Sequence, residues 1–257
     1  MLFRSTGSVV SCALLVLGAA IAYGGGEGVD RRSLLLQVAV LGCAVALFLV
    51  PSVPRWSGVH DPHELYLLTV PVALVLLCVY LVTTAHNLRR PSAPSGAALP
   101  GEPWSLRAGI SALVVAALAT AAMSHILVHS LEVFVHDLGL SEFFVAAVIV
   151  ALVGNATEHG GAVVTARRGN SGLGSEIAVS SATQVAVFVA PVVALLSGLA
   201  GKELPLAFRK VEIATMAFAA VAVFLVILDA RARRWEGLAL LGGYAACVVV
   251  YWFVGDG

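Results

Sequence analysis

The residues best suited to chemistry cluster in one short stretch, GNATEHGG at 154–161, which lies inside a long apolar run. A carboxylate at the centre of a bilayer costs at least ~2.5 kcal/mol, so Glu158 must face a cavity, a partner or an ion. A protonated Glu158 bonded to a neighbouring helix is the simpler interpretation, but it does not explain the polar residues around it. The cluster therefore indicates a binding site within a membrane.

The ligands that this cluster offers are all oxygens. Its three glycines allow a helix to loosen and to free carbonyl oxygens, including that of Gly154, and unwound backbone at membrane depth is tolerated where it lines a site. Glu158 adds a carboxylate, Asn155 an amide oxygen and Thr157 a hydroxyl. Such a set suits a hard cation such as Ca²⁺, Mn²⁺ or Na⁺. His159 titrates near neutral pH and suits proton coupling, although a packing role fits it equally well.

The next apolar segment carries a second polar patch, Ser180-Ser181-Ala182-Thr183-Gln184. Ser181 and Gln184 are three residues apart and share one helical face. Ser180 and Thr183 could simply be small polar residues that hold two helices together, but this interpretation fits Gln184 less well.

Three other patterns are set aside. Asn155-Ala156-Thr157 matches a glycosylation sequon but lies at membrane depth. Glu158-His159 lacks the second histidine of a zinc protease motif. The four cysteines, Cys12, Cys43, Cys78 and Cys247, show no CxxC spacing, so we expect small core residues rather than disulfides or a metal cluster.

Composition defines the class of protein that must position these residues. The 257 residues are 60% hydrophobic and 12% charged, against about 25% charged in soluble domains. The net charge of zero makes nucleic acid an unsuitable partner. The pattern predicts an all-α polytopic membrane protein of about eight transmembrane helices, at 8–24, 34–52, 65–85, 107–129, 141–166, 176–199, 207–229 and 236–254.

Segment ends and basic residues predict the organisation. Pro51 and Pro54 are expected to end the second segment, and the tryptophans fall at segment ends, where indole rings favour the headgroup region. The Pro-rich stretch 91–104 predicts a cytoplasmic linker between three helices in 1–90 and five in 105–257. Ten basic residues in one set of loops, against five in the other, place the loop at Arg167 inside and both termini outside. A signal peptide in residues 1–22 is the less favoured alternative.

The residues at 150–191 identify a family. GNATEHGGAVVTARR followed by SSATQVAVFVAP resembles the second signature repeat of the calcium/cation antiporter superfamily, and its H⁺-coupled cation exchanger branch matches best. Weaker similarity covers most of the chain, including LGLSEFF before the repeat and Trp235-Glu236-Gly237. GSVVSCALLVLG at 7–18 resembles the second helix of the first repeat.

The resemblance implies an inverted-repeat antiporter core with one midplane site, to which each half gives a GNA-x-E helix and a Ser-rich helix. Glu158 would bind Ca²⁺ and protons alternately, and His159 would tune proton coupling. The other residues implied to line the site are Asn155, Gly154, Ser181 and Gln184, with Ser8 and Ser11 as possible first-repeat counterparts.

The sequence also departs from the family pattern. Ser180 replaces a glycine, Cys12 an asparagine and His125 a glutamate, and only Glu102 remains of an acidic stretch. No GNA-x-E precedes Ser8. We therefore expect that sequence upstream of Met1, a partner chain or a second copy supplies the missing glutamate helix.

The leading hypothesis is a Ca²⁺/H⁺ antiporter of a bacterial plasma membrane. Its partners would be the lipid bilayer and the transported Ca²⁺ and H⁺; it would need no cofactor and perform no covalent chemistry. Two alternatives remain: an exchanger of Na⁺, K⁺ or Mn²⁺, and a non-transporting half-transporter that acts as a membrane partner subunit.

Overall fold

The computed structural model describes residues 2–24, 30–89, 105–228 and 233–255, and every regular element in this part of the chain is helical. α1 runs through Leu2–Val10, a π-helical stretch Ser11–Val16 and Leu17–Gly24. α2 is Arg31–Trp56, α3 is Pro62–Arg89 and α4 is Leu106–Leu138.

The second group of helices contains one broken span. α5 runs through Glu142–Phe144, a π-helical stretch Val145–Val150 and Ala151–Gly154, and α6 is Ala156–Arg167. α7 runs through Ser171–Gln184, a π-helical stretch Val185–Val189 and Ala190–Leu199. α8 is Lys210–Leu228 and α9 is Arg234–Val254.

The predicted membrane spans are confirmed. Seven described helices are long and apolar enough to cross a membrane, and the bent pair α5–α6 gives eight when counted as one span. Each span coincides with one predicted segment, although the first begins near Phe3 rather than at residue 8. The Pro-rich linker at 91–104 lies outside the described residues. The chain is an integral membrane protein.

The expected end of the second span was wrong. α2 continues through Pro51 and Pro54 to Trp56. A proline removes one backbone donor from a helix, yet membrane helices contain prolines where packing holds the helix together. Ser52, between the two prolines, donates to the Phe48 carbonyl at 2.6 Å and accepts from the Phe208 N–H, which joins this part of α2 to the α7–α8 connection.

α1 is the central helix of the bundle, with 78% of its best apolar window buried. Glycines bring it to backbone contact with its neighbours, as small residues do between membrane helices. A Cβ at Gly7 would collide with the carbonyl of Ala147 in α5. A Cβ at Gly18 would lie 2.8 Å from the carbonyl oxygen of Gly237 in α9.

The connection from α7 to α8 is fixed to α2 and α3 by side chains. Thr69 Oγ1 accepts from the Leu206 N–H and Ser52 Oγ accepts from the Phe208 N–H, each at 2.9 Å. The indole of Trp56 donates to the Phe208 carbonyl at the same distance. α2 therefore packs firmly against the start of α8.

The apolar window of α4, Leu106–Ser124, lies apart from this packed bundle. None of this window is buried, whereas α1 is mostly enclosed. Its exposed leucines and valines suit contact with lipid tails rather than with water.

The cysteines only partly follow the expectation of core residues. Cys12 and Cys247 are buried, but Cys43 and Cys78 are exposed, and all four are free. The prediction was wrong for Cys43 and Cys78 because an outward-facing thiol in a membrane meets lipid, which accepts a small apolar side chain.

Candidate functional site

The candidate site is built on the break between α5 and α6. The two helices meet at 56°, and Asn155 lies between them with φ −111° and ψ 16°. The halves Glu142–Gly154 and Ala156–Arg167 are of nearly equal length, which places the break near the middle of the span. Ending α5 there leaves carbonyl oxygens without helical partners, and starting α6 there leaves N–H groups without acceptors.

Glu158 lies in the first turn of α6, where the helix dipole favours a negative charge. Its side chain is exposed, as are Gly154 and Thr157, so all three belong to one open face. Within the described residues, no hydrogen bond or ion pair reaches the Glu158 carboxylate. Asn155 is half-buried, and its Nδ2 atom is buried without a partner. A half-turn of this amide would present its oxygen instead, so the side chain is available to a ligand.

Arg4 of α1 reaches the same break. Its guanidinium occupies the space into which a Cβ at Gly154 would project, with Cζ 3.1 Å from that position. A cation there is favoured by the carbonyl end of α5. This contact could not be predicted from the sequence, because 150 residues separate the two positions.

His159 joins α6 to α1 through a sulfur contact. Its Nε2 atom lies 3.6 Å from Sγ of Cys12. Cys12 directly follows Ser11, so the possible first-repeat residues lie beside the glutamate cluster. Ser8 and Ser11 are both buried, and the Ser11 hydroxyl donates to the Ser8 carbonyl at 3.2 Å.

α1 and α7 each carry two polar residues three positions apart next to a π-helical stretch, as expected if they are the corresponding helices of two repeats. In α1, Ser8 and Ser11 lead into the π-helical stretch Ser11–Val16. In α7, Ser181 and Gln184 are equally spaced and lead into the π-helical stretch Val185–Val189. π-Helical turns are rare and often mark functional sites.

Gln184 faces a cavity that Glu158 does not line. Its amide donates to Ser180 Oγ at 3.2 Å, and Ser181 beside it is half-buried. The cavity measures about 440 Å³ and lies between α2, α3 and α7. Its polar lining consists of Arg32, Ser33, Gln37, Tyr80, Thr83, Thr84, His86, Ser180, Thr183 and Gln184. The predicted residues thus fall into two groups: Asn155, Glu158 and His159 beside α1, and Gln184 on the cavity.

Sequence reasoning missed one buried carboxylate, Glu212, in the first turn of α8. It is 0% exposed; Oε1 accepts from the Thr6 hydroxyl at 2.9 Å and Oε2 from the Arg209 N–H at 2.8 Å. This links α8 to α1 two residues before Ser8. Acidic residues are common at the starts of apolar helices, so Glu212 did not stand out in the sequence. Only its position inside the predicted segment 207–229 could have indicated that its side chain is buried.

An all-helical membrane bundle with a broken span and a carboxylate at the break has the architecture of a secondary transporter. The profile of the sodium/calcium exchanger protein family matches residues 108–253, and the chain belongs to this family.

Curated relatives extend the similarity across nearly the whole chain. The Ca²⁺/H⁺ antiporter of Synechocystis sp. is 28% identical over 96% of this chain and 73% of its own length. The Ca²⁺/H⁺ antiporter ChaA of Bacillus subtilis is 28% identical over 97% and 74%. Vacuolar cation/proton exchanger 4 of Arabidopsis thaliana is 30% identical over 95% and 61%. These relatives are transporters rather than enzymes.

Solved structures agree with the fold. The structure of native YfkE superposes with a TM-score of 0.80 at 28% identity, covering 98% of this chain and 74% of that one. A selenium-substituted Ca²⁺/H⁺ antiporter protein YfkE gives 0.79 at 27% identity. The predicted membership of the calcium/cation antiporters is confirmed. The second chain considered from the sequence receives no support from these comparisons.

Proposed function

We propose that this protein exchanges cytoplasmic Ca²⁺ for external H⁺ by alternating access, at a midplane site centred on Glu158. The observation that supports the proposal is the helix break at Asn155, where the Asn155 amide nitrogen is buried without a partner and Glu158 is exposed in the first turn of α6. A carboxylate held there without a partner is costly unless an ion or a proton neutralises it. The Ca²⁺/H⁺ antiporters among the relatives support the choice of ions.

Coupling follows from competition for the same oxygen atoms. When Glu158 binds Ca²⁺ it cannot hold a proton, and when protonated it no longer attracts a divalent cation. Asn155 and the Gly154 carbonyl would be further ligands, and His159 would be the group that couples proton binding to the site. Ser8 and Ser11 would contribute from α1, whereas Ser181 and Gln184 of α7 would complete the site only when Gln184 turns from its cavity toward Glu158. Residues 1–90 and 105–257 would form the two halves that move around this site.

Exchange of another cation is the closest alternative. An oxygen-rich site also accepts Na⁺, K⁺ or Mn²⁺. A half-transporter without transport activity keeps the same fold but predicts no exchange in any ion gradient. We propose the plasma membrane of a bacterium as the location, where export would lower cytoplasmic Ca²⁺.

The test is Glu158→Gln. The substitution removes a charge from the middle of the membrane while keeping the side-chain shape. We therefore expect a folded protein whose Ca²⁺ uptake falls to the background of vesicles from cells that lack this protein. Uptake of radioactive calcium into everted vesicles, driven by an acid interior, measures this. Monodisperse elution in detergent checks the fold.

Glu142→Gln is the matched control, because Glu142 is an exposed carboxylate at the start of the same broken span. We expect it to retain uptake. Wild-type uptake by Glu158→Gln would refute the site, whereas exchange of Na⁺ or Mn²⁺ without Ca²⁺ would support the alternative ion.

A further inference from the structure

Cys12 and His159 form a pair of soft ligands that a calcium site does not need. Cys12 is 1% exposed on α1, and its Sγ atom lies 3.6 Å from His159 Nε2 on α6. Ca²⁺ takes oxygen ligands almost exclusively. Thiolates and imidazoles instead suit Zn²⁺ and related cations.

The separation of the two atoms fits a shared metal ion. Zinc binds sulfur at about 2.3 Å and imidazole nitrogen at about 2.0–2.1 Å. Two such ligands on a tetrahedral ion therefore stand about 3.6 Å apart, which is the distance found between Sγ and Nε2. Both atoms could thus bind one ion with little movement of α1 against α6.

Glu158 is the nearest candidate for a third ligand. It precedes His159 in the chain and lies in the same first turn of α6. No three metal-binding side chains are grouped closely enough to hold an ion as they stand, among the described residues. The Glu158 carboxylate must therefore rotate inward, which its exposed and unpaired position permits.

We propose that Cys12, His159 and Glu158 form a site for a borderline-soft divalent cation, Zn²⁺ or Cd²⁺, at the break where Ca²⁺ is proposed to bind. The inference rests on the proposed function only through the shared Glu158. Binding converts the Cys12 thiol to a thiolate and releases its proton to water. Because Glu158 cannot serve two ions at once, such a cation would compete with Ca²⁺.

The first measurement is Cd²⁺ titration of the purified full chain, followed by the ultraviolet cadmium–thiolate charge-transfer absorption. Cys43 and Cys78 are first replaced by serine, because they are exposed. We expect Cys12→Ser to abolish the band and His159→Ala to weaken Cd²⁺ binding by at least about tenfold. Cys247→Ser, the other buried cysteine at 4% exposure, should leave the band unchanged.

The second measurement is inhibition of Ca²⁺ uptake by Cd²⁺. Cys12→Ser should need at least about tenfold more Cd²⁺ than the parent protein for half-inhibition. A cadmium–thiolate band that survives Cys12→Ser, or equal inhibition of both proteins, would overturn the inference and leave the Cys12–His159 contact as an ordinary hydrogen bond. A band that depends on Cys12 in a protein without Ca²⁺/H⁺ exchange would keep the metal site and reject the proposed function.

Discussion

At the residue scale, His159 connects proton chemistry to helix packing. Its ring contacts Cys12 on one side and is half-buried at the start of α6. Histidine is the side chain whose ordinary pKa lies closest to physiological pH, so its loss should change when the site accepts protons.

We therefore expect His159→Ala to move the pH optimum of exchange by about one unit while changing the maximal rate less. Uptake measured across a series of external pH values tests this. His60→Ala is the control, because His60 is exposed and bonds to the Gly58 carbonyl in the α2–α3 connection. An unchanged pH profile would make His159 a packing residue.

Part of the residue-scale picture could be predicted from the sequence. The glycines and Asn155 beside Glu158 indicated a loosened helix because these residue types weaken helices wherever they occur. The Cys12–His159 contact could not be predicted, because 147 residues separate the partners and only tertiary packing joins them. The position of Gln184 on the cavity was also not predictable, because residues of α2 and α3 form the other walls of that cavity.

At the scale of helices, glycine contacts determine how closely α1 approaches the broken span. A Cβ at Gly7 meets the backbone of Ala147, which cannot rotate away as a flexible side chain could. Gly42 in α2 has open space around the same position.

Gly7→Ala should therefore destabilise the protein by about 1–3 kcal/mol, because α1 must move away from α5. Gly42→Ala should leave stability unchanged or raise it by about 0.5–1 kcal/mol, since alanine favours helix. Thermal unfolding in detergent compares the two variants. Equal melting temperatures would mean that the α1–α5 contact is looser than described.

The spans themselves were predictable because about 20 apolar residues are needed to cross a bilayer and eight runs meet that length. The end of α2 was not predictable from its prolines. Prolines commonly end helices, but here Ser52, between Pro51 and Pro54, accepts from the Phe208 N–H and so joins this part of α2 to the α7–α8 connection. These two residues are 156 positions apart in the chain, so the contact depends on tertiary packing.

At the scale of the whole molecule, the charge distribution predicts orientation. Arg167 ends α6 and Arg168 begins the connection to α7, and the positive-inside rule places this end of α6 in the cytoplasm. Lys202, in the α7–α8 connection, would then lie outside.

Arg168→Cys and Lys202→Cys test this orientation, since both positions are exposed. With Cys43 and Cys78 replaced by alanine, a membrane-impermeant thiol reagent should label only Lys202→Cys in intact cells. Permeabilised cells provide the control, in which both should react. Labelling of Arg168→Cys alone in intact cells would invert the topology and with it the proposed direction of Ca²⁺ export.

Because the apolar window of α4 does not pack against other helices, we expect the thickness of the bilayer to affect how this helix lies in the membrane. Its 33 residues measure about 50 Å at ~1.5 Å each, whereas the hydrocarbon layer is about 30 Å thick. Full immersion would need a tilt beyond the usual ~40° limit, so the turns after Ser124 must stand in the headgroup layer or beyond it. None of the apolar window of α4 is buried against neighbouring helices, so lipid surrounds this part of the helix and we expect its depth to follow the length of the lipid tails.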